Sequence, residues 1–560
     1  MWGSLEKSTS MSSAKKRALL ILAACLLTTW PLRAALFSGE MSGAGPDVNT
    51  TLWTMWWYQQ EWTGAAWGGH SDLFNFPMGG AGAILSPITA STWALLEPQF
   101  GPNAAGTWTT FSQIACFAMA MVWLARETGL SWAASTVTLL AVFCQRYLIY
   151  APGETSVVGI SALPIPIGLI ALLRLQKGSP QRFWFALAVF CMALQPLENP
   201  YLTPVLPGVA LLMLIKPIGR QRLGLTLLAG LIAIVAAGMI HKGATTLAYE
   251  STRPSSFVGF GSWLWPAVER PWAAANFSWF FWPPETIWSE QAHLSVYAQG
   301  REYLGLSVLI LSAIGAKAFP KKTLPWIGFG LIGVLLGLGS SIGGFPGPFA
   351  FLNAVCARLV RVLTQPTRFL ILSTVGFSLA AAWGYESLRR RSTRLGLAAG
   401  IVLFLDALLL GGLSLKLPTM HVPNSDCVVS LQDQPGAVLV WPWDGADHMD
   451  AEAASKSRLL QVAHSRPGAT IGTGSWPLTG RVFPGDFLRS MNWVEGFSGG
   501  TGQIDLKALA DLGFQWMLVD MRAPKKLLGD PDGLFGQPVK TCPSYRVYRM
   551  PAQSAGVRGR

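Results

Sequence analysis

The chain has 560 residues, of which 51% are hydrophobic and only 13% charged, with a mean hydropathy of +0.38, against roughly a quarter charged in an ordinary soluble domain. A soluble globular protein is excluded, because the apolar residues arrive in blocks of about 20 with few charges, the length that crosses a hydrocarbon core. The formal charge of +13, from 42 Lys+Arg and 29 Asp+Glu, would suit nucleic acid, but the basic residues sit in short clusters between apolar runs. They read as topology signals, and no nucleic-acid partner is expected.

Taken in chain order, eleven apolar runs predict membrane helices at about 17-37, 107-126, 132-151, 156-174, 183-197, 202-216, 223-242, 303-318, 325-343, 367-388 and 395-415. The first passes Leu22-Ala23-Ala24-Cys25, which matches a lipoprotein signal box. It continues apolar through Leu32, so a retained span is expected rather than a cleaved signal. Alternate connections carry Lys15, Lys16 and Arg17; Arg126; Arg174, Lys177 and Arg182; Lys216, Arg220 and Arg222; Lys317, Lys321 and Lys322; and Arg389, Arg390, Arg391 and Arg394. By the positive-inside rule these ends are cytoplasmic. An odd number of spans then places the tail on the exoplasmic side, with the long polar loops 38-106 and 243-302. The chain thus divides into a cytoplasmic leader (1-16), a membrane domain (17-415) and an exoplasmic domain (416-560).

Beyond residue 415 charges return and apolar runs shorten to strand length. Ala437-Trp441 and Phe514-Asp520 read as buried strands, Asp450-His464 and Ile504-Leu512 as helices, and Tyr545-Met550 as a closing strand. The expected fold class is therefore an α-helical polytopic membrane protein of about eleven transmembrane helices with a small C-terminal α/β exoplasmic domain. Of seven cysteines, five lie in or beside apolar runs, whereas Cys427 and Cys542 lie near the two ends of this domain. In an oxidising compartment a disulfide between them would staple the first strand to the last hairpin; two unrelated buried thiols are the alternative.

Ionisable residues crowd the outer ends of the spans. Arg146 lies near the outer end of the third and Glu154 follows it; Glu198 tips the fifth-sixth hairpin; His241 and Lys242 end the seventh; Arg358, Arg361 and Arg368 precede or open the tenth. A charge at membrane depth is costly unless paired, so the set predicts either an outward-facing polar cavity or helix-helix ion pairing with headgroup contact. In the first outer loop, Ser38-Gly39-Glu40 is followed by Gly45-Pro46-Asp47-Val48-Asn49 and then by Trp53, Trp56 and Trp57 at helical spacing. A carboxylate such as Asp47, held on a Gly-Pro turn at the bilayer surface, can serve as general base toward a hydroxyl. Capping the aromatic helix is the alternative. Many of the 25 tryptophans lie in the outer loops, where indoles stack on sugar rings or anchor in the interfacial belt.

Three weaker signals remain. Asp444, Asp447, His448 and Asp450 read as a polar turn capping the next helix rather than a cation site. Asp406, inside the eleventh run, is expected to pair with an arginine of another helix. Asn49-Thr50-Thr51 and Asn276-Phe277-Ser278 fit the glycosylation acceptor pattern, which matters only in a eukaryotic secretory compartment.

The order of first span, long outer loop with an acidic residue and an aromatic helix, then Asp72-Leu73-Phe74-Asn75-Phe76-Pro77-Met78-Gly79, resembles the GT-C superfamily of polytopic membrane glycosyltransferases. Gln365-Pro366-Thr367-Arg368-Phe369, opening a span that ends Trp383-Gly384-Tyr385 before a small α/β domain, looks like a bacterial branch of it. The resemblance implies an inverting transfer of a sugar from a polyprenyl-phosphate-linked donor to a glycan, lipid or protein acceptor, on the exoplasmic face of the bacterial cytoplasmic membrane. It implies Asp47 as base or metal ligand, with Glu40 its nearby partner. The superfamily's acids are often adjacent or one apart, whereas these are seven residues apart, and a need for Mg2+ or Mn2+ is left open. Arg146, His241, Arg358, Arg361 and Arg368 would receive the departing phosphate, for which guanidinium offers a two-pronged donor. Glu154, Glu198, Trp56 and Trp57 would meet the sugar. A transporter or flippase of a lipid-linked substrate is a competing class, although corresponding halves and paired broken helices are not seen. A non-catalytic assembly or polymer-binding protein is another.

Overall fold

The computed structural model describes residues 13–43, 46–61, 70–71, 73, 80–81, 86–149, 162–177, 182–199, 202–214, 220–249, 303–339, 341–342, 345–356, 366–415, 417–441, 451–469, 504–523 and 528–551. The N-terminal part comprises α1 (Ser13–Ser38), β1 (Met41–Ser42), α2 (Pro46–Gln60), β2 (His70–Ser71), β3 (Gly80–Ala81), α3 (Pro87–Glu127), α4 (Trp132–Cys144), α5 (Pro164–Gln176), α6 (Arg182–Glu198), α7 (Val205–Met213) and α8 (Arg220–Tyr249). There follow α9 (Leu306–Ala318), α10 (Pro320–Gly337), β4 (Ser341–Ile342), β5 (Phe345–Pro346), α11 (Pro348–Cys356), a 3-10 turn (Pro366–Phe369), α12 (Leu370–Arg391) and α13 (Thr393–Leu409). The C-terminal unit contains β6 (Thr419–Met420), α14 (Asp426–Val429), β7 (Ala437–Trp441), α15 (Ala451–His464), α16 (Leu506–Asp511), β8 (Phe514–Asp520), α17 (Pro531–Phe535), β9 (Lys540–Thr541) and β10 (Tyr545–Arg549).

A helix stands in each of the eleven apolar runs. By length and composition, four segments among the described residues can cross a membrane: Ala18–Ser38, Pro87–Glu127, Arg220–Ala237 and Pro366–Arg391. Helices α4, α5 and α9 are apolar but have 13 residues each, a rise of about 20 Å against a core of about 30 Å. Exposed rows of large apolar side chains on α1, α8 and α13, among them Leu22, Leu228, Ile232, Leu397 and Phe404, present a surface suited to lipid rather than water. One expectation is corrected: the second half of the loop 38-106 is helical. Helix α3 begins at Pro87 and bends at Gly101, whose φ of 74° between Pro98 and Pro102 breaks the regular turn.

Helix α12 is the buried axis, with 94% of its apolar window inside the protein. Its neighbours approach at backbone distance because small residues face them. An added Cβ on Gly376 would lie 2.4 Å from the Gly330 nitrogen, and one on Gly384 would lie 1.9 Å from the Leu311 carbonyl oxygen.

The C-terminal strands form a sheet in the order β7-β8-β10-β9. Strand β7 runs parallel to β8, with Val440 opposite Leu518, and β10 is antiparallel to β8 and β9. A parallel pair needs a crossover, which the chain makes through α15 and α16. Alternate residues serve two cores: Val438, Leu518 and Val547 face α15, whereas Leu439, Met517 and Val519 face α16. Coverage on both faces explains why these strands read as continuous apolar runs. Cys427 and Cys542 are joined by a disulfide. Strand β1, directly after α1, pairs with β6, Met41 opposite Met420, so the C-terminal unit is tied to the end of the first helix.

Candidate active site

The segment bearing the candidate base is anchored where the helical bundle meets the C-terminal unit. After α1, Gly39 adopts a left-handed φ of 72°, which lets the chain turn into Glu40 and β1. Thr107 Oγ1 of α3 donates to the Glu40 carbonyl at 2.8 Å and itself accepts from the Ser42 nitrogen at 2.8 Å. The Gly43 nitrogen donates to the Pro418 carbonyl at 2.7 Å. Pro46 and Asp47 then open α2, positions where proline's fixed φ and a negative charge both suit a helix N-terminus. The Asp47 side chain lies outside the described residues. The Glu40 side chain is half-buried and accepts from Ser38 Oγ at 3.2 Å.

Helix α2 is not an amphipathic surface helix. Residues 51–58 are buried without interruption, because α3 packs on one side and α15 on the other. Trp53 stacks on Trp57 with centroids 6.4 Å apart, and its indole nitrogen donates to Gln461 Oε1 at 2.8 Å. Trp56 and Trp57, expected to meet sugar or the membrane surface, are 3% and 1% exposed and belong to the core that α2 shares with the C-terminal sheet. Asn49 is buried as well, so its acceptor pattern is inaccessible in the folded chain.

Glu198 closes the N-terminus of α3. One carboxylate oxygen accepts from the Ile88 backbone nitrogen, and the other from Thr89 Oγ1 at 3.4 Å. Ser86, left-handed at φ 53°, is held there by its nitrogen on the Leu197 carbonyl at 2.8 Å and its hydroxyl on the Glu198 carbonyl at 3.1 Å. Gln113 Nε2 donates to Thr89 Oγ1, extending the network across α3. Tyr58 stands within the field of this carboxylate: burial first, and then the Glu198 charge, push its phenol well above the ordinary tyrosine range. Tyr58, Thr89 and Gln113 were not legible as site residues. Tyr58 falls inside a wholly apolar-looking segment, and the other two become polar partners only when α6 docks on α3.

Two further expectations change in the bundle. Arg146 is 1% exposed and acts as a pin: its Nε donates to the Leu410 carbonyl, its Nη2 to Ser414 Oγ at 3.2 Å, and its guanidinium lies 5.8 Å from the Tyr303 ring. Asp406, expected to pair with an arginine, accepts from Tyr303 Oη at 2.6 Å and from the Ser307 nitrogen at 2.8 Å. It caps α9, whose first turn supplies unbonded N–H groups to any nearby carboxylate. Arg368 is half-buried on the 3-10 turn before α12, between buried Thr367 and Phe369.

Glu154, Arg358, Arg361, Asp72, Asn276 and the Asp444–Asp450 cluster lie outside the described residues, as does the side chain of His241, whose backbone belongs to α8. Among the described residues no three His, Cys, Asp or Glu side chains converge as a metal-ligand set.

No family model matches the chain, and no curated protein sequence matches it. Among solved structures the chain is similar to the oligosaccharyltransferase of Archaeoglobus fulgidus, crystallised with zinc and sulfate, at 10% identity and a TM-score of 0.47, covering 90% of this chain and 68% of that one. It is also similar to ArnT of Cupriavidus metallidurans in the apo state, at 13% identity and a TM-score of 0.44, covering 96% of this chain and 98% of that one. The same enzyme bound to undecaprenyl phosphate matches at 13% identity and a TM-score of 0.43, covering 98% and 100%.

Proposed function

We propose that the protein is a GT-C-type glycosyltransferase of the bacterial cytoplasmic membrane, which moves a sugar from a polyprenyl-phosphate-linked donor to a glycan, lipid or protein acceptor on the exoplasmic face. The observation that carries this reading is the anchoring of the α2 N-terminus. The strand just before the acid-bearing turn is hydrogen-bonded to both α3 and β6, which supports a preorganised acid at the start of α2. In this reading Asp47 takes the proton from the acceptor hydroxyl, with Glu40 nearby. The freed oxygen attacks the anomeric carbon opposite the phosphate, the carbon–oxygen bond to phosphate breaks, and the configuration inverts. Arg358, Arg361 and Arg368, with His241, stabilise the charge that gathers on the leaving phosphate, the place where preorganised electrostatics contribute most. Glu154 binds sugar hydroxyls, whereas Arg146 and Glu198 hold the scaffold. Residues 1-16 are then a cytoplasmic leader, 17-415 the membrane domain, and 416-560 an exoplasmic domain covering α2.

The test uses purified full-length protein and a radiolabelled polyprenyl-phosphate sugar. Transfer of label to an acceptor is expected, with Asp47→Asn abolishing it at unchanged expression and melting temperature. Wild-type transfer by that variant overturns the base assignment. Movement of labelled lipid across sealed vesicles, indifferent to Asp47→Asn, would instead identify a flippase.

A further inference from the structure

The helix ends remote from the C-terminal unit carry a basic ledge built from two interlocked turns. Helix α13 leads at its far end into Gly412–Ser414 and β6, so its start, at Thr393, lies about 25 Å away along a 17-residue helix. Around that start stand Lys317 at the end of α9, Lys321 and Lys322 in the first turn of α10, Arg389, Arg390 and Arg391 at the end of α12, and Arg394 in the first turn of α13. Each turn places a cation on an aromatic ring of the other: Lys322 Nζ lies 4.6 Å from the Trp383 centroid, and the Arg390 guanidinium lies 5.4 Å from that of Phe319. The two turns therefore form one surface.

The charge balance of this surface is one-sided. Its acid, Glu386, is buried and already engaged by Ser131 Oγ at 2.5 Å and by Arg390 Nε at 3.0 Å. Lys317, Lys321, Arg391 and Arg394 are exposed and form no ion pair among the described residues. Lys321, Lys322 and Arg394 also occupy the first turns of α10 and α13, which contain no acid. Helix N-termini favour anions and disfavour cations, so these side chains stand against their local field unless an anion joins them. Directly beside them Leu324, Leu395 and Leu397 are 54%, 48% and 66% exposed, an apolar rim suited to acyl chains.

We propose that this ledge binds the phosphate headgroups of anionic phospholipid, with the acyl chains lying along Leu324, Leu395 and Leu397. Juxtamembrane clusters of four to eight basic residues attract acidic lipid in this way. The inference stands independently of the sugar-transfer reading.

Native mass spectrometry of the full-length protein, released from detergent with phosphatidylglycerol or phosphatidylcholine added, tests it. Wild-type protein is expected to retain phosphatidylglycerol in several-fold excess over phosphatidylcholine. The quadruple variant K317Q/K321Q/R391Q/R394Q is expected to retain the two lipids about equally while keeping its melting temperature, since those four side chains form no ion pair among the described residues. Equal retention of the two lipids by the wild type, or unchanged selectivity in the variant, overturns the proposal. So does inorganic phosphate alone, if it stabilises the protein as much as phosphatidylglycerol does.

Discussion

The carboxylate of Glu198, the last residue of α6, accepts the backbone N–H of Ile88 in the first turn of α3, 110 positions away in the chain. An acid placed by its sequence among sugar ligands thereby serves as a cap contributed by another helix. The cap matters to the candidate site because α3 also supplies Thr107, which fixes Glu40 and Ser42 ahead of Asp47.

Replacing that carboxylate should loosen α3. Glu198→Ala leaves the part-buried Ile88 N–H without its acceptor and removes one of the partners of Thr89 Oγ1, a cost of about 1–3 kcal/mol, and should lower the melting temperature in detergent. Glu198→Gln retains an acceptor and should lower it less. Donor KM in the folded fraction should stay near wild type in Glu198→Gln. A large rise in KM at an unchanged melting temperature would reassign the residue to substrate binding.

The packing of α12 predicts a contrast between two glycines. Gly384→Ala drives a methyl group into the Leu311 carbonyl, 1.9 Å from its ideal position, whereas nothing lies within 4 Å of a Cβ at Gly400. The first should destabilise by about 1–3 kcal/mol through forced separation of α12 and α9. The second should be neutral or stabilise by up to about 1 kcal/mol through helix propensity. Thermal unfolding of the two single variants decides; equal melting temperatures would contradict the close approach.

Acid should weaken the C-terminal unit through His464. Burial, and then the nearby Arg466 charge, push its pKa from 6.5 down to about 3, and Nδ1 accepts from the Arg466 nitrogen at 3.1 Å. Between those values the unfolded chain binds a proton that the folded chain refuses. Stability from this group is therefore complete above about pH 6.5 and is lost progressively as pH falls toward 3. Melting curves between pH 7.5 and about pH 4.5 should shift downward for the wild type, with a shallower slope in His464→Gln. An equal slope in the variant would assign the effect elsewhere.

The disulfide between Cys427 and Cys542 closes a separation of 115 residues. Its removal in Cys427→Ser/Cys542→Ser should cost about 2–4 kcal/mol, chiefly by freeing the unfolded chain. Peptide mapping without reductant should leave Cys25, Cys116, Cys144 and Cys191 alkylated and recover the two peptides joined. Alkylation of Cys427 or Cys542 before reduction would contradict the bridge.

Most of the helices were legible because the length and apolarity of a run are local properties. The strands Ala437–Trp441 and Phe514–Asp520 appear with the bounds read from sequence, since continuous apolar stretches of that length, flanked by turn residues, suit a sheet covered on both faces. The helical half of the loop 38-106 was obscured by Pro98, Gly101 and Pro102, which resemble loop punctuation but kink a continuing helix. At the candidate site, the turn carrying Asp47 could be located, but not the partners that fix it.

From the sequence alone came the eleven helical runs, three of the strands of the C-terminal unit and the cysteine pair, each set by residues close together or by a simple count. Tertiary structure decided the use of individual side chains, because burial and hydrogen bonding are settled by groups far apart in the chain. Trp53 meets Gln461 across 408 residues and Arg146 meets Leu410 across 264, and no local pattern encodes either. An isolated tryptophan, arginine or acid carries the same chemistry in a groove or in a core; only the neighbours that exclude water and satisfy its polar atoms determine which role it takes.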